Sequence, residues 1–167
     1  ATISKRFIRK INRKIIVKTY LKKINKENIH SIAKNYDYIC DGTDNFKTRL
    51  LINDYCIKYK KILISSAISK YDGHIFSFDF KKDGPCLRCF MPNIPSLEQN
   101  CETDGIMSTL AGIAGSIQAN EVIKSILDIG KPLRNEIMIF NSLDLSFRKV
   151  KLNKNSNCKN HLHVLRK

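Results

Sequence analysis

The sequence predicts an α/β protein in which a parallel sheet continues into antiparallel strands. Three observations carry that prediction. Strand-like and helix-like segments alternate across residues 1–67, which argues for parallel strands joined by helices. Residues 73–80 (GHIFSFDF) then alternate apolar and polar, the pattern of an antiparallel strand. Finally, one long apolar helix at 105–130 precedes two short segments, NEIMIFNSL and LSFRKVKL, that read as a terminal hairpin.

Each element follows from local pattern. Residues 2–12 (TISKRFIRKIN) place Ile3, Phe7, Ile8 and Ile11 at helical spacing. Residues 14–20 (KIIVKTY) are β-branched and short, so a strand is expected there. Asn25 or Asn28 caps a short helix reaching Asn35, with Ile29, Ile32 and Ala33 turned inward. An apolar strand over 36–40 ends in a polar turn around Gly42, and a helix over 46–60 carries Leu50, Ile52, Cys56 and Ile57. KILISSA (61–67) is a buried strand, and GPCLRCF (84–90) is a knuckle-like turn followed by an irregular loop over 91–104. The 105–130 helix has a small face of Ala111, Gly112, Ala114, Gly115 and Ala119, which permits close helix contact. No repeat or long linker divides the chain, so residues 1–167 are read as a single domain.

Composition narrows the function classes. With 167 residues, 43% apolar and 27% charged, the chain can bury a real core. No apolar run approaches the roughly 20 residues of a bilayer span, and no leader-like segment opens the sequence. Membrane and secreted classes are set aside and a cytoplasmic location is expected. The net charge is +15, but 22 of the 30 basic residues are scattered lysines. Without arginine or aromatic clustering they lack readout groups, so no specific nucleic-acid partner is expected.

Three constellations carry candidate chemistry. Asp41, Thr43, Asp44 and Asn45 lie at the carboxyl end of a predicted parallel strand, the edge where open α/β sheets bind ligands. A carboxylate there is placed to hold Mg²⁺ or water at a nucleotide phosphate; the plainer reading is helix capping. Cys86-Leu-Arg-Cys89 supplies half of a tetrahedral zinc site, and Cys158-Lys-Asn-His161 supplies the other half, with His163 as a substitute ligand. Such a closed four-ligand site is structural and ties the tail to the core. Cys101, in a loop before a helix, is either a nucleophile or a packing residue. Cys40 and Cys56 are assigned to the core, and His30 and His74 are given no role.

The order of these motifs resembles the ThiF/MoeB/HesA family, bacterial relatives of ubiquitin-activating enzymes. The resemblance rests on Asp41, Thr43, Asp44, Asn45 and Arg49 with Asn53, then GPCLRCFMP, then NCETDGIMSTLAGIAGSIQANEVIK, then the terminal metal-ligand pair. It covers nearly the whole chain. It implies the second half of a Rossmann-like parallel sheet that continues into antiparallel strands, with a structural zinc site. It also implies ATP- and Mg-dependent adenylation of the C-terminal glycine of a ubiquitin-like sulfur-carrier protein, serving molybdopterin or thiamine type sulfur transfer. By that resemblance Asp44 is the metal- and ATP-associated carboxylate, with Asn45, Arg49 and Asn53 shaping the same edge. Cys86, Cys89 and Cys158 fall on zinc ligands, and His161 stands where the family carries a fourth cysteine. Cys101 falls on a cysteine that takes part in sulfur transfer in some members. A homodimer is implied as well.

No G-x-G-x-x-G phosphate loop occurs in the 167 residues, and the first residue is Ala rather than Met. The chain is therefore expected to be the C-terminal portion of a ThiF-like adenylating domain, inactive alone. The alternative expectation is a non-catalytic remnant that binds a carrier or a partner protomer.

Overall fold

The computed structural model describes residues 1–92 and 105–162, the last two of these for their backbone alone. Its elements are α1 (Thr2–Ile11), α2 (Ile29–Ala33), β1 (Tyr38–Asp41), α3 (Phe46–Lys58), β2 (Ile62–Ser69) and β3 (Asp72–Asp79). After them come α4 (Leu87–Phe90), α5 (Thr109–Leu127), β4 (Glu136–Asn141), β5 (Ser146–Lys151) and α6 (Lys159–Leu162). The strands form one mixed sheet in the order β1-β2-β3-β4-β5. β1 and β2 run parallel, joined by α3 in a β-α-β crossover, with Cys40 opposite Ile64 and Asp41 opposite Ser65. The remaining pairs are antiparallel, as the alternating segments predict.

The period-two pattern of the strands builds a core on each face. Leu63, Phe76, Phe78 and Ile137 point to one side and pack with Ile29, Leu50, Cys56 and Leu87 from α2, α3 and α4. Ile64, Ile75 and Phe140 point to the other and pack with Leu110 and Ala114 of α5 and with Leu133. Gly73 is required by this packing: a Cβ there would stand 2.0 Å from the Phe140 ring. Glu121, buried on α5, accepts from the Leu133 backbone N–H at 2.7 Å and pairs with Lys124, pinning the approach to β4.

Three expectations are corrected. KIIVKTY forms no strand; β propensity yields a strand only against a partner edge, and here β1 pairs with β2 alone. Ile16 and Leu21 stay exposed, as do Ile3, Phe7 and Ile11 along α1, where Ile3 keeps 78% of its surface. The long helix starts at Thr109 rather than 105, because Ile106 instead bridges Lys70 in parallel and the Met107 N–H donates to the Lys70 carbonyl at 3.0 Å. Cys40, assigned to the core, is exposed on β1, whereas Cys56 is buried as expected. Among the described residues no helix is long and apolar enough to cross a membrane.

Candidate functional site

β1 and β2 deliver their carboxyl ends to one rim of a cleft of about 620 Å³. Its polar lip is Thr43, Asp44, Asn45, Arg49, Ser66 and Gln118, and its apolar wall includes Phe76, Leu87, Phe90, Met91 and Ile106. The lip is held by a buried network. Asp41, 1% exposed, accepts from the Thr43 N–H at 2.9 Å, the Thr43 hydroxyl at 2.7 Å and the Ser65 hydroxyl at 2.8 Å. Arg49 stands 3.5 Å from the Asp41 carboxylate and donates to Ser65 Oγ and the Ser66 carbonyl, each at 2.8 Å, and to the Thr43 carbonyl. The Gln118 amide of α5 donates to the carbonyls of Asp41 at 3.0 Å and Ile64 at 2.7 Å, tying the helix to the ends of both parallel strands.

Asp44 differs from its neighbours. Asn45 caps α3 by accepting from the Thr48 N–H at 2.9 Å, while its amide donates to Asp44 at 3.1 Å. That hydrogen bond, reinforced by the residue's own backbone N–H, holds the Asp44 carboxyl below the usual carboxylate range. Asp44 is exposed, so an ionised group faces the cleft mouth. His74, given no role from sequence, also lines this cleft, and burial lowers its pKa. His30 does have partners: its ring lies 4.7 Å from that of Tyr59 and 6.2 Å from that of Tyr55.

A second constellation lies behind the cleft wall. Cys86 Sγ is 3.8 Å from Cys89 Sγ and 3.6 Å from Cys158 Sγ. Thiolates about 2.3 Å from a tetrahedral zinc ion stand roughly 3.8 Å apart, so the three sulfurs already have the spacing of a metal site. Burial, then the proximity of Cys89 and Cys158, pushes the Cys86 thiol up to about 12. A divalent cation would reverse that by binding the thiolate form. His161 belongs to α6, but its side chain lies outside the described residues, as do His163 and Cys101.

Sequence reasoning found Asp44, Asn45, Arg49 and three of the thiols, and the structure brings each group together. That reasoning named Asn53 as a motif position but missed Asp54, Arg88 and the clamp they complete. Asn53, fully buried, accepts from the Leu87 N–H at 3.0 Å, and Asp54 receives Arg88 Nε at 3.0 Å and Nη2 at 2.7 Å. Burial raises the Asp54 pKa, but hydrogen bonds from Arg88, Asn160 and Asn53 outweigh it and leave the carboxyl below its ordinary value. Partners 34 residues apart leave no local pattern. Gln118 did leave one, as a polar residue on a face otherwise small and apolar.

A family model described as the ThiF family matches residues 1–160. The "Sulfur carrier protein adenylyltransferase" of Thermus thermophilus is 32% identical over 164 residues, covering 95% of this chain and 60% of that protein. The "SAMP-activating enzyme E1" of Haloferax volcanii is 34% identical over 155 residues, covering 91% of this chain and 56% of that protein. The "Probable molybdopterin-synthase adenylyltransferase" of Pyropia yezoensis is 37% identical over 153 residues, covering 90% and 40%. The chain thus spans about half the length of these relatives. Among solved structures, E. coli MccB with ATP superposes with a TM-score of 0.78 at 18% identity, over 95% of this chain and 49% of MccB. At that identity the likeness speaks for the fold.

Proposed function

Because this chain belongs to the ThiF family, we propose that it forms the C-terminal portion of an ATP-dependent adenylating domain acting on the C-terminal glycine of a ubiquitin-like sulfur-carrier protein. The observation that carries this reading is the ionised, exposed carboxylate of Asp44 at the cleft mouth. Asp41 and Arg49 spend their polar atoms on each other, on Ser65 and Thr43 and on the backbone, and Asn45 caps α3. Among the described residues Asp44 takes only the Asn45 amide and its own backbone N–H, and is left exposed to meet a cation.

Adenylation needs the charge of a triphosphate neutralised and a carboxylate held for attack on the α-phosphorus. Asp44 would hold the Mg²⁺ that accompanies ATP, while Asn45 and Arg49 keep the lip in place. The apolar wall of Phe76, Leu87, Phe90 and Met91 suits an extended, uncharged tail lying toward that lip. Zinc, held by Cys86, Cys89 and Cys158 with His161 as fourth ligand, would fasten the tail of the chain and leave no open position for chemistry. Cys101 is reserved for sulfur delivery rather than adenylation. The names of the Thermus and Pyropia relatives support a sulfur carrier of the molybdopterin type. A cytoplasmic homodimer completes the proposal.

The test joins this chain to the Gly-rich nucleotide-binding segment of the Thermus relative and measures carrier-dependent exchange of pyrophosphate into ATP. Exchange should appear, and Asp44→Asn should reduce it by about a hundredfold or more. Unchanged exchange in that variant would remove Asp44 from the site. The competing reading is a non-catalytic module that only binds a carrier. Carrier binding without exchange in the joined protein would select it.

A further inference from the structure

The two halves of the cysteine cluster come from positions far apart in sequence and meet at Cys86, whose Sγ lies 3.6 Å from Cys158 Sγ and 4.0 Å from the Asn160 amide. Cys86 caps the N-terminus of the single-turn α4 and Cys89 lies within it, while Cys158 precedes α6. Both halves reach the same side chain on α3. Arg88, between the two cysteines of the knuckle, makes a two-pronged contact with the Asp54 carboxylate, Nε to Oδ1 at 3.0 Å and Nη2 to Oδ2 at 2.7 Å. Asn160, two residues after Cys158, donates its amide to Asp54 Oδ1 at 2.8 Å. The Asn53 amide reaches the same oxygen at 3.1 Å, and the Asn53 carbonyl oxygen takes the Leu87 N–H.

We propose that Asp54 is the positioning residue that docks both halves of the cluster on α3 and thereby sets how tightly the cluster retains a divalent metal. Three thiolates around a divalent cation leave negative charge, and the Arg88 guanidinium stands beside them to offset it. Asp54 fixes that guanidinium through a planar two-bond geometry that neither Asn nor Lys reproduces. The same carboxylate holds α6 by Asn160, so the tail ligand arrives at the knuckle without a separate ordering cost. Remove the carboxylate and each half remains folded locally, but the two are no longer held at one spacing.

This inference rests on the reading of the cluster as a metal site, and the experiment separates the two. The full 167-residue chain and its Asp54→Asn variant are stripped of metal and titrated with Co²⁺ in competition with a chelating dye, following the thiolate-to-cobalt absorption. The parent should bind one cobalt, and Asp54→Asn should bind it about 10- to 100-fold more weakly. Asn160→Ala, which leaves the Arg88 contact intact, should fall between them and serves where Asp54→Asn folds poorly. Asp128→Asn, which removes an exposed ion pair with Arg134, should match the parent. Weakening by Asp54→Asn in an Arg88→Gln background should be much smaller than in the parent, since the shared contact is already gone. A parent that takes up no cobalt overturns the metal reading and this inference with it. A parent that binds, with Asp54→Asn and Asn160→Ala both within about twofold of it, overturns the role of Asp54 alone.

Discussion

At the lip of the cleft, folding by itself gives every buried charge a partner. Asp41 meets Arg49, Ser65 and Thr43, and Arg49 meets two backbone carbonyls as well. At the cysteine corner folding does the reverse and crowds three thiols, and burial followed by their proximity raises the Cys86 pKa. The first arrangement is closed and the second is open toward a cation. The difference separates two uses of buried polar groups: one fixes the shape of the cleft edge, the other gathers three sulfurs that could hold a metal ion.

The largest effect should come from breaking the closed side. Arg49→Ala strands the Asp41 carboxylate in the core and should cost about 3–5 kcal/mol in urea unfolding. A loss under about 1 kcal/mol would show that water or a rearranged Ser65 replaces the guanidinium and that the edge is not closed. The open side should respond to chelation instead. With free zinc at roughly a thousand times its dissociation constant, adding a strong chelator should lower stability by about 4 kcal/mol. Cys86→Ala should abolish that sensitivity, whereas Arg49→Ala should keep it.

Smaller effects sharpen the contrast. His74 in the cleft wall is half-buried, and the desolvation lowers its pKa below the ordinary 6.5. The unfolded chain therefore takes up a proton first, and stability should fall as pH drops below 6.5 toward the folded value. His74→Phe should flatten that part of the pH profile; an unchanged slope would assign it elsewhere. Least of all, Asp44→Asn should change stability by no more than about 0.5 kcal/mol. A larger cost would mean that this carboxylate belongs to the closed network rather than to a ligand.

Much of this was legible in the sequence wherever period and chemistry are local. The alternation in GHIFSFDF, the polar turn after β1 and the Cys-x-x-Cys knuckle each carry their own signature, and the structure has a strand, a lip and a sulfur cluster in those places. KIIVKTY misled because β-branching states a preference that only a neighbouring strand can satisfy. Residues 105–108 misled because apolar content cannot distinguish a helix start from an extended segment that bridges Lys70. Asp54 was invisible for a third reason: its meaning lies in Arg88 and Asn160, which three-dimensional packing alone brings to it.

The strands lie in the sheet in the order in which a ribosome makes them. β2 and β3 are joined through Lys70 and Tyr71 alone, and β4 and β5 also adjoin in sequence, so both hairpins are expected to form within roughly microseconds. Pairing Ser77 with Glu136 is slower, because the whole of α4 and α5 must first be gathered into a loop. Cys158 arrives later still, after β5. The cysteine corner is thus a clasp fastened last, on a sheet already assembled, and a metal ion that met the knuckle early would find Cys86 and Cys89 without Cys158.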